Sequence, residues 1–428
     1  MAVSSGSHSK RVNLKASIRL DSVAMDRVIL HCDCNSFFAS VETVLNPSYK
    51  GVPMAVCGSQ EDRHGIVLAK NEEAKKYGIQ TAETVFSAKK KCPHLVIASP
   101  HYDEYERYSK MVNQIYSDYT DKVEPFGIDE SWLDVTASQR IFGSGEEIAE
   151  LIRERVKNEI GITVSIGVSF NKVFAKLGSD YKKPDAITVI SRDNFKQIVY
   201  PLPASTLLYV GRKTTEELAR IGIRTIGELA ETSKDMLKHK LGKMGEMLSD
   251  YATGNDLSPV GVDENHGVKS IGNGFTFKHD LVSRNDCRVG IDFLCEEIGA
   301  KLRKKSLKCN TVAISIKDTR LKTIQRQRQL KNASDISKEI SALAYEILCD
   351  EWGESIPIRM LTVTVSGLID AASSYTQLDL FSSNDSLPRD KDKKREETVD
   401  EIRRKFGSSA ISTGALYDTD IGVGVKKK

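Results

Sequence analysis

The chain contains no apolar run approaching the ~20 residues that a helix needs to cross a bilayer. No membrane role is therefore expected. Its eight cysteines form no Cys-x-x-Cys pair and no Cys/His cluster at metal-ligand spacing. That absence leaves no cysteine-built metal site and points to reduced thiols in a cytosolic compartment. Nor is there a strong charge bias: 62 Lys and Arg stand against 59 Asp and Glu, for a formal net charge of +3. So small an excess does not argue for nucleic acid, and the placement of the basic residues has to decide. The first 24 residues, Met1 to Ala24, lack the long apolar stretch of a secretory signal and are rich in Ser and Lys. Residues 1–25 are read as a disordered extension or tail, with a basic organelle-targeting segment as the alternative. What remains, at 428 residues, 40% hydrophobic and 28% charged, reads as soluble, globular and divided into several domains.

Two carboxylate-bearing segments stand out, His31-Cys32-Asp33-Cys34-Asn35-Ser36-Phe37-Phe38 and Pro125-Phe126-Gly127-Ile128-Asp129-Glu130-Ser131-Trp132-Leu133-Asp134. Each sets acids at the edge of an apolar run, Val28-Ile29-Leu30 before Asp33 and Ile128 before Asp129-Glu130, so the carboxylates are expected to emerge from buried strands. Burying them is costly without a cation. Mg²⁺ takes hard oxygen ligands and keeps waters and substrate phosphates, so two or three carboxylates suffice. On spacing alone, two capped turns at strand ends explain the same residues. Cys32 and Cys34 flank Asp33 at strand period and are read as core.

The two segments resemble the metal-binding motifs of the Y-family DNA polymerases, the DinB/UmuC or DNA polymerase IV type. The likeness continues through Glu42 to Gly51, Asn71 to Gly78 (Asn-Glu-Glu-Ala-Lys-Lys-Tyr-Gly) and Thr163 to Asp185, in order over about residues 26–370. It implies an α+β, multidomain right-hand fold with a ferredoxin-like palm (26–36 and 102–190), small fingers (37–101), a helix-hairpin-helix thumb (191–258) and a little finger of one sheet plus helices (262–370). Residues 371–428 are expected to be a flexible tail. The resemblance further implies two Mg²⁺ ions held by Asp33, Asp129, Glu130 and the backbone carbonyl of Cys34. Primer-template DNA and a dNTP are the implied substrates. Phe38 aligns with the steric gate that rejects a ribose 2′-hydroxyl; without the family it would be read as a core Phe. Lys183 matches the triphosphate-binding Lys. The fingers depart from the pattern, with Glu72 and Lys75 where Tyr and Arg are usual, so the bidentate fork of Arg is lost at Lys75. Asn35 stands where DinB-type members often have Asp.

Periodicity supports these assignments locally. Ile162, Val164, Ile166 and Val168 alternate with Thr163, Ser165, Gly167 and Ser169, a strand pattern. Ile148, Leu151, Ile152 and Ile160 make one helical stripe that stops at Gly161. Lys213 to Ile221 and Thr225 to Glu231 read as helices about a turn at Gly222, and Gly242 marks a second hinge whose amides, with those at Gly222, can meet a phosphate. An ordinary helical hairpin is the competing reading, and Tyr209 occupies a position where the first hairpin usually has Gly.

Residues 301–331 hold eleven Lys or Arg against one acid, Asp318. Val312, Ile314 and Ile316 alternate with Thr311, Ala313, Ser315 and Lys317, which predicts a sheet with one apolar and one cationic face for a duplex backbone. Lys317, Arg320, Lys322, Arg326 and Arg328 are the candidate DNA contacts, and a helix from Ser334 to Trp352 is expected over the apolar side. Gln377, Leu378, Asp379, Leu380 and Phe381 resemble the motif that binds the bacterial sliding clamp (the beta subunit). The expected protein is a monomeric, cytoplasmic, nucleoid-associated translesion polymerase of low fidelity without proofreading. A noncatalytic DNA- and clamp-binding relic and a two-metal nuclease are the rivals.

Overall fold

The computed structural model describes residues 26–59, 65–261, 268–353, 356–372, 386–407, 410–416 and 420–423. Among them the strands run β1 (Ile29–Cys34), β2 (Met54–Cys57), β3 (Val67–Lys70), β4 (Val96–Ala98), β5 (Val123–Pro125), β6 (Glu130–Asp134), β7 (Val164–Ser169), β8 (Ile187–Ile190), β9 (Ser270–Leu281), β10 (Leu307–Asp318), β11 (Thr323–Ser334), β12 (Ile358–Ser366) and β13 (Ile369–Asp370). The chain divides into two compact units, Met1–Asn35 with Glu106–Gly261, and Ser36–Tyr105 with Val262–Lys428.

The first unit is built on the sheet β5-β6-β1-β7-β8, with β1 antiparallel to both β6 and β7 and β7 parallel to β8. Every residue of β1 and β7 is buried. Strand alternation sends His31 and Asp33 to one face and Cys32 and Cys34 to the other, against Tyr116. The first face is covered by the helix Lys172–Tyr181, which reaches it because Gly167 and Gly178 lie against each other. A Cβ on Gly167 would stand 1.9 Å from the Ala175 carbonyl oxygen, so no side chain fits there.

Two expectations fail in this unit. Ile128 is exposed rather than the end of a buried run, because β6 begins only at Glu130 and Phe126–Asp129 form the hairpin turn from β5. Leu151 is exposed on the helix Gly145–Arg155, whose buried row Ile148 and Ile152 continues at the same four-residue interval to Val156 in the turn that follows.

The helices Arg212–Arg220, Ile226–Glu231, Lys234–Leu241 and Lys243–Ala252 share a core of Leu218, Ile226, Leu229, Leu237 and Leu248. Thr225 and Glu228 form a capping box at the second helix.

The second unit carries the small sheet β3-β2-β4, closed by the helices Phe37–Leu45, Glu72–Lys75 and Val85–Lys91. It also carries the sheet β11-β10-β12-β9, backed by the helices Arg284–Lys304 and Ser337–Glu351. The latter helix is shorter than its Ser334-to-Trp352 expectation because β11 continues to Ser334.

The described part of the segment after Asp370, expected as a flexible tail, is packed. Leu416, Ile421 and Val423 are buried in the core under this sheet, and the Lys278 amide of β9 donates to the Ile421 carbonyl at 3.0 Å. The helix Ser386–Phe406 is fastened by Arg303, which reaches Glu396 at 2.5 Å and Asp400 at 2.6 Å. The polar composition that suggested a free tail serves these ion pairs. Gln377 to Phe381 lie outside the described residues.

Candidate active site

Asp33 and Glu130 are direct partners across the β1–β6 ladder, and the Cys34 amide donates to the Asp129 carbonyl at 3.0 Å. Backbone pairing alone thus brings Asp33, Asp129 and Glu130 to the same end of two neighbouring strands. The Cys34 thiol is turned into the core, which leaves only its backbone for the site.

Each acid sits in a different electrostatic environment. Burial is the main influence on Asp33 and pushes its carboxyl up to about 6, although the Lys183 ammonium at 2.6 Å pulls the other way. Burial, followed by the charge of Glu130, also raises Asp129. Burial would raise Glu130 too, but contacts with His31 and Lys176 outweigh it and hold this carboxyl at about 2. Lys176 lies 2.5 Å from Glu130, and His31, whose imidazole is held toward its neutral form by burial, places Nε2 at 3.4 Å from the same carboxylate.

Lys183 is shared between Asp33 and Asp180, the latter at 2.8 Å. Burial would lower its ammonium; the two carboxylates outweigh that and raise it. The turn after Lys183 is fixed by Asn35, whose Oδ1 accepts from the Asp185 amide at 2.8 Å and from Thr163 Oγ1 at 3.0 Å. Its Nδ2 donates to Ser165 Oγ at 2.8 Å. Asn35 therefore braces the loop that presents Lys183.

Among the described residues no three His, Cys, Asp or Glu side chains are gathered closely enough to hold a metal ion as they stand. Asp33 and Glu130 are instead engaged by ammonium groups. The donor set still suits a hard divalent cation: it offers carboxylate and carbonyl oxygen only, and burial raises two of its acids for want of positive charge. The residues fit such an ion once the lysines withdraw.

Sequence reasoning missed His31, Lys176 and Asp180. For Lys176 a signal was present, since Lys172 and Lys176 recur at four residues, one turn apart on the same helix.

In the second unit Phe37 is buried, while Phe38 is half-buried and stacked on Tyr105 with ring centroids 4.0 Å apart and planes 11° from parallel. Tyr105 donates to the buried Glu42 carboxylate at 2.5 Å, and His101 Nδ1 stands 2.9 Å from the same oxygen. The Phe38 ring thus rests on a braced platform. Glu72 and Lys75 form an ion pair at 2.5 Å.

The candidate DNA contacts fall into separate groups. Gly222 and Gly242 both adopt positive φ, +85° and +62°, with open space where a Cβ would stand. Tyr209 takes φ 67°, the left-handed conformation for which Gly is the usual residue. Lys317 shares its sheet face with Ser315, Thr323, Gln325, Thr362 and Thr364. Arg326 and Arg328 do not, because the register pairs them with Ile314 and Val312 and so turns them to the helix-bearing face. There Arg326 meets Glu351 at 2.9 Å, and Arg328 meets Glu346 at 3.1 Å and Asp350 at 2.7 Å. The open face is accordingly hydroxyl- and amide-rich rather than strongly cationic. Arg320 and Lys322 sit on the exposed β10–β11 turn, which the buried Asp318 closes by accepting from the Lys322 amide at 2.8 Å.

The family model described as "impB/mucB/samB family" matches residues 32–180, its C-terminal-domain model matches 268–380, and "DNA polymerase-iota, thumb domain" matches 207–256. DNA polymerase IV of Acetivibrio thermocellus is 49% identical over 393 residues, covering 92% of this chain and 98% of that protein. DNA polymerase IV of Clostridium kluyveri is 37% identical over 399 residues, with 92% and 98% covered. DNA polymerase IV 1 of Bacillus subtilis is 35% identical over 389 residues, with 91% and 93% covered. Among solved structures, a Y-family DNA polymerase chimera, Dbh-Dpo4(243-245)-Dbh, superposes with a TM-score of 0.72 at 25% identity, covering 80% of this chain and 99% of that one. The carboxylates at one end of β1 and β6, the right-hand architecture and relatives of this identity along nine-tenths of the sequence lead to one assignment: the chain belongs to the Y family of DNA polymerases, on its DNA polymerase IV branch.

Proposed function

We propose that the protein extends primers on a DNA template by nucleotidyl transfer from dNTPs, as a translesion polymerase of low fidelity without proofreading. The observation that carries the chemistry is the pairing of Asp33 with Glu130, which sets three acids at one strand end. Asp33, Asp129, Glu130 and the Cys34 carbonyl would hold two Mg²⁺ ions, which when bound make the primer 3′-hydroxyl more acidic and neutralise the triphosphate. Lys183, a point charge on a loop braced by Asn35, turns from Asp33 to the triphosphate. Lys75 is the second triphosphate cation.

Phe38, stiffened by Tyr105 beneath it, lies against the sugar and rejects a 2′-hydroxyl. No side chain is assigned as general base, and His31 is too deeply buried to reach a primer terminus. The turns at Gly222 and Gly242 and the sheet face around Lys317 hold the duplex backbone without reading sequence. Gln377 to Phe381 are proposed to dock in the groove of a bacterial sliding clamp, and the enzyme is proposed to act as a monomer.

Primer extension with Mg²⁺ and four dNTPs, comparing wild type with Asp129→Ala with and without clamp, tests this reading. Extension lost in the variant supports it. Tight primer-template binding without extension by wild type would replace it with the noncatalytic alternative, and primer shortening would favour a nuclease.

A further inference from the structure

Glu72 is the residue that fits a triphosphate site least, since a carboxylate beside phosphate is repelled. Its surroundings give it a task. The helix Glu72–Lys75 is anchored by Asn71, whose Oδ1 accepts from the Met54 and Ala74 amides, each at 3.0 Å, and whose Nδ2 donates to the Val52 carbonyl at 2.7 Å. On this fixed base Glu72 Oε1 receives two donors, Lys75 Nζ at 2.5 Å and Ser36 Oγ at 3.1 Å. Ser36 takes the left-handed conformation, φ 49° and ψ 42°, at the start of the helix that carries Phe38. A non-glycine residue held there signals a local constraint. The carboxylate is therefore pinned from one side by Ser36 and offered to Lys75 from the other, and both members of the ion pair remain 40% exposed, within reach of a ligand.

We propose that Glu72 is a built-in competitor for the triphosphate: it neutralises Lys75 in the free protein, and an incoming polyphosphate must displace it. The inference rests on the nucleotide-binding role given to Lys75 above. The site thereby weakens ground-state nucleotide binding, because part of the attraction between Lys75 and phosphate replaces an interaction already made. Its effect falls on KM and leaves the chemical step alone.

Single-nucleotide insertion by wild type, Glu72→Gln, Lys75→Gln and the double variant tests it. Glutamine keeps an oxygen for Ser36 and removes the charge. Glu72→Gln is expected to lower KM for dNTP about fivefold, the scale of one exposed charge pair, with kcat within twofold. Lys75→Gln should raise KM more in the Glu72→Gln background than in wild type, because only there is the ammonium uncommitted; such coupling measures the contest directly. A residue that serves only the helix would change the melting temperature and leave this coupling at zero. Unchanged or raised KM in Glu72→Gln, or an equal Lys75→Gln penalty in both backgrounds, overturns the inference while leaving the polymerase reading intact. A wild-type protein that inserts no nucleotide overturns both.

Discussion

Replacing Gly167 by alanine tests how closely the fold of the first unit is tied to its acids. The new methyl would stand 1.9 Å from the Ala175 carbonyl oxygen and 2.5 Å from the Ser179 amide nitrogen, both in the backbone of the helix Lys172–Tyr181. Ordinary contact requires about 3.5 Å, so the helix has to retreat by about 1.5 Å. Overpacking costs about 1–3 kcal/mol, and backbone is less pliant than side chain, so a loss of about 3 kcal/mol is expected. For a unit of this size that lowers the melting temperature by roughly 6–12 °C.

The same retreat draws Ser179 from His31, now 2.8 Å apart, and removes the packing behind the strand face that carries Asp33, so nucleotide insertion should fall with stability. Calorimetric melting of the variant beside Gly222→Ala provides the comparison. Gly222 has φ +85° but open space around it, and only the left-handed penalty of about 1–2 kcal/mol applies there. A Gly167→Ala protein that melts within 2 °C of wild type would refute the close-packing argument.

Other outcomes follow from the same geometry. In the metal-free protein Asp33 titrates at about 6, against about 3.9 unfolded. The native state thus binds more protons across that window and loses stability as pH rises from about 4 to 6, by about 3 kcal/mol. Glu130, held at about 2, acts oppositely, contributing stability that is lost as pH falls below about 4; melting temperature against pH, with Asp33→Asn abolishing the first slope, checks both. Phe38→Ala should raise ribonucleotide insertion relative to deoxyribonucleotide, and Tyr105→Leu should do so more weakly by loosening the stack, as measured by the ratio of kcat/KM values. Arg303→Ala leaves Glu396, 11% exposed, without its cation, at a cost of about 3–5 kcal/mol; limited proteolysis should then release the helix Ser386–Phe406, and resistance equal to wild type would count against the clasp.

The sequence by itself singled out the candidate site residues and the places where a change of architecture is expected. Asp33, Asp129 and Glu130 were legible as candidates because their two segments resemble the family's motifs, spacing alone leaving capped turns open, and the hinges at Gly222 and Gly242 because only glycine takes positive φ without strain. Tertiary structure decided what those residues face. Alternation fixes parity along one strand, but the turn between two strands fixes how their parities match. The Asp318-to-Lys322 turn pairs Lys317 with Thr323, and hence Arg326 with Ile314, turning two arginines from the open face to acids on a helix. Likewise the polar composition after Asp370 looked like a solvated tail until Arg303 and the core below β9 supplied partners distant in sequence. Pairings such as Lys176 with Glu130, 46 residues apart, arise where packed backbones meet, and that distance is set by two glycines rather than by either charged residue.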